Sequence, residues 1–257
     1  MRIQLILSLF ILFHSLLLSA QELDKKPAFI FAAANLKFVF PQIIKEFYIK
    51  YPDARVYIQY ASTGYLANSI LKGKTYDIFF AANTQYPQQV YLAKKSISPP
   101  KIYTQGLLIL FTPSNPLLSK KRLNILCSKE IKYISIANKS TAPYGAASIE
   151  VIKNIPCYKA AINKIKFTVD AATAIDNVIW NAYSGFLSKS ALFMIPKQKK
   201  QKGVDWIEID HKLYNPIMQA YVISKNGLKN DNAIKFLNFV ESQAGQKIFK
   251  ENGYKDK

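Results

Sequence analysis

The chain has 257 residues, 50% of them hydrophobic and 13% aromatic, an ordinary globular composition with ample material for one large domain or two smaller lobes. With two histidines and two cysteines it has little from which to build a His-rich metal site, and no GxSxG, Walker A or Cys-x-x-Cys pattern occurs. The formal charge of +19 raises nucleic acid as a partner, but the lysines are scattered singly. The densest run, Lys197-Gln198-Lys199-Lys200-Gln201-Lys202, reads as a solvated loop.

Met1 and Arg2 precede an apolar run from Ile3 to Leu18, then Ser19 and Ala20, then polar residues. This predicts a secretory signal peptide over 1–20, cleaved near Ala20, and so a periplasmic protein. A membrane anchor is the alternative, but Gln4, Ser8, His14 and Ser15 interrupt the run, which falls short of the roughly 20 apolar residues a span needs. Export in turn argues against nucleic acid.

Residues 28–33 form a short continuous apolar run, the pattern of a strand buried on both faces of a parallel sheet. From Asn35 the period changes: Phe40, Ile43, Ile44 and Phe47 predict a helix with Asn35 as N-cap and an irregular first turn at Pro41. A strand over 55–60 leads to a helix capped by Ser62 or Thr63, and a strand over 77–81 leads to one running to about Lys95. Gly106 to Phe111 reads as one strand near the first crossing between lobes. The pattern then restarts with strands over 132–137 and 165–169, each followed by a helix, and further strands over 191–195 and 205–209. Residues 216–223 return as a strand, and 231–250 read as one long helix with Leu237, Val240, Ala244 and Ile248 facing inward. Strands alternating with helices define an α/β fold. The expected division is 24–104 with 214–257 as the first lobe and 105–213 as the second. Cys127 and Cys157 are available for a disulfide in the second lobe, and spacing leaves open whether they meet.

Four stretches share a composition: Phe31-Ala32-Ala33-Ala34-Asn35-Leu36, Tyr60-Ala61-Ser62-Thr63-Gly64-Tyr65-Leu66, Asn138-Lys139-Ser140-Thr141-Ala142-Pro143-Tyr144-Gly145 and Asp170-Ala171-Ala172-Thr173. Small, hydroxyl and amide residues at such turns are first of all helix caps, and one alone is weak evidence. Turns that follow successive parallel strands lie along one carboxyl edge, where open α/β sheets bind ligands. Two such edges facing across a hinge would surround an anion with free N–H and O–H donors and the positive ends of helix dipoles. Pro143 has no N–H and Gly145 lets the backbone approach closely, so this turn can present the Tyr144 N–H or hydroxyl. Asp77, Asp170 and Asp176 read as turn caps or partners of lysines rather than acid–base groups.

These residues resemble the molybdate-binding periplasmic proteins of ABC transporters. The likeness runs from Phe31 to Tyr254 and rests on Phe-Ala-Ala-Ala-Asn-Leu at 31–36, Ala-Ser-Thr-Gly-Tyr-Leu-Ala at 61–67, Tyr-Asp-Ile-Phe-Phe-Ala-Ala-Asn at 76–83, Ala-Pro-Tyr-Gly at 142–145 and the closing segment from Lys235. The resemblance implies the two-lobed periplasmic-binding-protein fold of type II, each lobe a mostly parallel sheet flanked by helices. It implies a non-catalytic monomer that holds molybdate or tungstate, with no metal site or cofactor of its own, and hands it to an ABC permease in the inner membrane. Carried over by motif, the donors are Asn35, where the family has serine, Thr63 with Ser62 beside it, the N–H of Tyr144 and the N–H of Ala171. The family's binding tyrosine falls on Met194, which offers no hydroxyl and is left out of the site. The alternatives are a binding protein for sulfate, phosphate or an organic anion, and an exported serine hydrolase.

Overall fold

The computed structural model describes residues 26–256. The expected leader over 1–20 lies outside the described residues. Two five-stranded mixed sheets organise the rest into an α/β, two-lobed architecture. In the first sheet β1 (Ala28–Ala33), β2 (Val56–Ala61) and β3 (Ile78–Phe80) run parallel, and β10 (Ile217–Ile223) lies antiparallel between β3 and β4 (Lys101–Gly106). In the second, β6 (Ile134–Ala137) is parallel to β7 (Ile165–Thr168) and β8 (Ser184–Ser188), and β5 (Leu108–Phe111) lies antiparallel between β8 and β9 (Trp206–Glu208). The chain therefore changes sheet at Leu107 and returns between β9 and β10. Helices of eight residues or more are α1 (Phe40–Lys50), α2 (Thr63–Leu71), α3 (Gln85–Leu92), α4 (Pro143–Lys153), α5 (Ala171–Trp180), α6 (Asp231–Glu241) and α7 (Gln243–Glu251).

Two-residue alternation builds the layers. Ile30, Ala32 and Phe80 face Phe40, Ile43, Phe47, Phe236 and Phe249, while Phe31, Phe79 and Val222 face Leu66, Ile70 and Val90 on the opposite side. Leu108, Leu110, Ile134 and Ile136 meet Val151 and Ile152, and Ile109, Phe111 and Leu187 meet Ala174, Ile175 and Val178. With helices on both faces, the central strands need apolar side chains throughout, which is why their sequences lack polar alternation.

Several elements differ from the sequence reading. Residues Ala34–Phe38 form a 3-10 turn, and α1 begins at Phe40 with Pro41 in its first turn. An amide N–H there has no intrahelical acceptor, so proline removes nothing. Asn35 is consequently not an N-cap. The expected strand over 106–111 is two strands in different sheets, preceded by residues of β4 that the sequence reading left unassigned. The apolar stretch 191–195 is not a strand: Lys189–Phe193 is a 3-10 turn and the strand is Ser184–Ser188, whose terminal serines are buried. The final helix breaks at Ser242, whose hydroxyl accepts from the Gly245 N–H at 3.2 Å and starts α7. That break turns Ala244 outward and directs Ile248 and Phe249 inward. Cys127 and Cys157 are joined as a disulfide, with Cα atoms 5.6 Å apart.

Candidate functional site

Strand register places the four turns. Ala33 lies opposite Ala61, so the turn carrying Asn35 is beside the one carrying Ser62 and Thr63. Ala137 lies opposite Thr168, which sets the 138–142 turn beside Asp170 and Ala171. The two pairs meet across the cleft. The Gly64 N–H donates to the Thr141 carbonyl at 2.8 Å, Ala33 and Ala82 share a cluster with Tyr144, and Phe38 shares one with Ile175 and Val178.

At each turn a backbone N–H opens an element. Among the described residues, no carbonyl or side chain accepts from the N–H of Asn35, Thr63, Tyr144 or Ala171. Thr63 and Ala171 are the first residues of α2 and α5. Tyr144 is the first residue of α4 with an N–H, because Pro143 has none. Gly145 is needed beside it: a Cβ there would run into the Ala137 carbonyl at the end of β6. The Ser62 hydroxyl, at the N-cap of α2, makes no cap bond. The Thr63 hydroxyl accepts from the Ala82 N–H at 3.2 Å, which leaves its own proton to donate elsewhere. All five residues are buried.

Side chains depart from the expected donor set in two places. Asn35 Nδ2 donates to Gln219 Oε1 at 3.1 Å and to the Tyr254 hydroxyl at 3.0 Å, so its amide N–H2 belongs to the cleft floor and the backbone N–H is its free donor. The Tyr144 hydroxyl accepts from Gln219 Nε2 at 3.1 Å. Burial, reinforced by Tyr254 and Tyr103 nearby, pushes that hydroxyl's pKa well above the ordinary tyrosine value. Gln219 Oε1 also accepts from the Tyr103 hydroxyl at 2.9 Å, so one fully buried amide ties Asn35 and Tyr103 of one lobe to Tyr144 of the other. Sequence reasoning missed Gln219. Its signal was a lone amide within the apolar strand Ile217–Ile223, since a buried polar group must find partners.

Of the acidic residues, Asp170 is a turn cap as expected, whereas Asp77 holds the backbone of β1 and the Asn230 amide rather than a turn or a lysine. Asp170 caps α5, its Oδ1 accepting from Ala172 N–H at 3.0 Å and Thr173 N–H at 2.9 Å, and Asp77 accepts from Phe29 N–H at 2.8 Å. Asn83 Oδ1 accepts from the Tyr86 N–H at 3.2 Å. Asp170 leaves the Ala171 N–H free but sets a carboxylate beside it. On that flank of the cleft a cavity of about 330 Å³ opens between the Ala34–Phe38 turn and α5, lined by Lys37, Asp176, Trp180 and Met194 among others. Lys139 is exposed. Among the described residues no three His, Cys, Asp or Glu side chains gather as a metal site. Nor is any described helix long and apolar enough to cross a membrane.

Two lobes that enclose neutral backbone donors in a cleft are the architecture of a binding protein. The chain belongs to the bacterial extracellular solute-binding proteins, whose family model matches residues 29–255. It is similar to the molybdate-binding protein ModA of Azotobacter vinelandii, 27% identical over 202 residues, 78% of this chain and 79% of that protein. ModA of Rhodobacter capsulatus is 24% identical over 197 residues, 76% of this chain and 75% of that protein. Among solved structures, the Azotobacter vinelandii periplasmic molybdate-binding protein superposes with a TM-score of 0.78 at 24% identity, over 88% of this chain and 98% of that one. The substrate-binding domain of a putative molybdenum ABC transporter from Clostridium difficile gives 0.65 at 25% identity, over 90% and 99%.

Proposed function

We propose that this chain captures molybdate or tungstate in the periplasm and delivers it to an ABC permease of the inner membrane. It acts as a monomer whose lobes close over the anion after removal of the leader near Ala20; the boundary expected between 104 and 105 moves to Leu107, because β4 stays paired in the first sheet through Gly106. One observation carries the reading: the buried N–H groups of Asn35, Thr63, Tyr144 and Ala171 have no acceptor among the described residues, and they come from the four turns that meet across the cleft. Buried donors of this kind call for an acceptor, and a tetrahedral dianion offers several. The Ser62 and Thr63 hydroxyls add donors, and the N-termini of α2, α4 and α5 supply partial positive charge without a mobile cation. Similarity to molybdate-binding proteins supports the choice of oxyanion. Exclusion of water on closure strengthens each bond.

Titration calorimetry with molybdate, tungstate, sulfate and phosphate tests the proposal. The first two should bind and the others compete weakly. Thr63→Ala should cost roughly 1.5–3 kcal/mol of molybdate affinity, the value of one bond to a charged ligand. Unchanged affinity would remove Thr63 from the site, and silence with all four anions would refute the oxyanion reading.

A further inference from the structure

Two bonds at the cleft mouth join the lobes directly. The Tyr86 hydroxyl, on α3 of the first lobe, donates to the Ser140 carbonyl of the second at 2.5 Å. The Gly64 N–H donates to the Thr141 carbonyl at 2.8 Å. The acceptor turn is itself braced, because Asn138 Oδ1 accepts from the Ser140 N–H at 2.9 Å and the Asn138 carbonyl takes the Thr141 and Ala142 N–H groups. That Asx turn holds the Ser140 and Thr141 carbonyls toward α2 and α3.

Gly64 is glycine for a steric reason. It lies in the first turn of α2 and is not among the residues with positive φ, so its backbone asks for no special freedom. A Cβ there would stand 2.7 Å from the Tyr86 hydroxyl and 3.0 Å from Thr141 Cα, closer than nearly all real contacts. The missing methyl group is the space that lets the second lobe's turn seat against α2 while Tyr86 reaches over it. A side chain there would press on Tyr86 within the first lobe as well as on Thr141 of the second, so its absence serves both the packing of α2 on α3 and closure.

We infer that Tyr86 and Gly64 form a clasp across the mouth of the cleft that sets how long a captured ligand stays. Neither residue supplies a donor to the ligand: the Tyr86 proton and the Gly64 N–H are both taken by carbonyls of the opposite lobe. Both bonds exist only when the lobes are together, so they oppose opening and slow release without affecting the open form in which ligand arrives. Because they use protein atoms alone, they also favour closure in the ligand-free protein. The clasp and the Gln219–Tyr144 bond differ in setting, one at the partly exposed mouth and the other in the buried floor. The ligand-residence part of this inference rests on the oxyanion reading; the closure part does not.

The experiment compares wild type, Tyr86→Phe and Gly64→Ala. A fluorophore pair, one dye on each lobe, reports the interlobe distance without ligand, and stopped-flow release of molybdate gives the dissociation rate. Tyr86→Phe should raise that rate about threefold to tenfold, the worth of one hydrogen bond, and shift the ligand-free distance distribution toward the open form. Gly64→Ala should move the ligand-free distance distribution toward the open form, because the added methyl group presses on Thr141 Cα of the second lobe and displaces the Tyr86 hydroxyl. A distance distribution in both variants like that of wild type overturns the clasp, whatever the ligand. If wild type fails to bind molybdate or tungstate, the oxyanion reading falls, and the ligand-free distances still decide the clasp. Should Gly64→Ala fail to fold, Tyr86→Phe decides alone, and a wild-type distance distribution together with a wild-type release rate would overturn the inference.

Discussion

Replacing Gln219 with leucine removes the amide that joins the lobes at the cleft floor, and the bonds around it set the size of the effect. Asn35 Nδ2 keeps its bond to the Tyr254 hydroxyl at 3.0 Å, and the Tyr103 hydroxyl keeps the Ala81 carbonyl at 3.2 Å. The Tyr144 hydroxyl, 2% exposed as a residue, has Gln219 as its one side-chain partner among the described residues and is stranded. A stranded buried hydroxyl costs about 1–3 kcal/mol and each of the other lost bonds about 0.5–1.5, partly offset by the leucine's apolar burial. A net loss of roughly 2–4 kcal/mol follows, which lowers Tm by roughly 5–15 °C in a chain of this size. The decisive comparison is the double variant with Tyr144→Phe, which removes the stranded group and should return about 1–3 kcal/mol. Urea denaturation of the four proteins, ligand-free, measures this. A double variant no more stable than Gln219→Leu would show that the hydroxyl was never in want of a partner and would refute the reasoning.

Three further outcomes are expected. Converting Cys127 and Cys157 to serine opens a cross-link that spans 30 residues and should cost about 3–4 kcal/mol in denaturant stability, with molybdate affinity kept because Cys157 lies past the C-terminal end of α4, whose N-terminus carries Tyr144. Burial pushes the Tyr254 hydroxyl up to about 12, opposed by its bonds with Ser190 and Asn35. Its folded value thus lies above the unfolded one near 10, so the stability it confers is complete below about pH 10 and is lost as pH rises through about 12, a change of roughly 3 kcal/mol. Denaturation between pH 9 and 12 should show a steeper decline in wild type than in Tyr254→Phe. Finally, Asp170→Asn keeps an oxygen for the α5 cap and takes a negative charge from beside the Ala171 N–H. Relief of repulsion worth roughly 1 kcal/mol should tighten molybdate binding severalfold in calorimetry at low salt, with the gain shrinking as salt rises; weaker binding would show that the carboxylate serves the site.

Much of the architecture was legible from local pattern. The apolar runs at Ala28–Ala33 and Ile78–Phe80, and the Phe40, Ile43 and Phe47 face of α1, are spaced by the geometry of strand and helix themselves. So were the turns, because proline at 143, glycine at 145 and small residues after each strand suit a close backbone. Errors arose where burial outranked pattern. Ser184–Ser188 is a strand with polar ends because β5, β6 and α5 enclose it, whereas the more apolar 191–195 follows the carboxyl end of that strand and packs as a turn against the same core. The break at Ser242 is a cap that a continuous apolar stripe conceals.

The chain's order of residues alone determined strands such as Ala28–Ala33 and Ile78–Phe80 and the helix starts at Thr63, Pro143 and Ala171, since these depend on neighbours a few positions away. Tertiary structure decided where the side chains at those turns are spent. Asn35 and Gln219 lie 184 residues apart, and Tyr86 and Ser140 54 apart, on elements that meet only after the chain has crossed between sheets, twice for the first pair and once for the second. A hydrogen bond is set by distance and direction in space, so no window of sequence could have told that the Asn35 amide turns to the floor while its N–H, with those of Thr63, Tyr144 and Ala171, is left free.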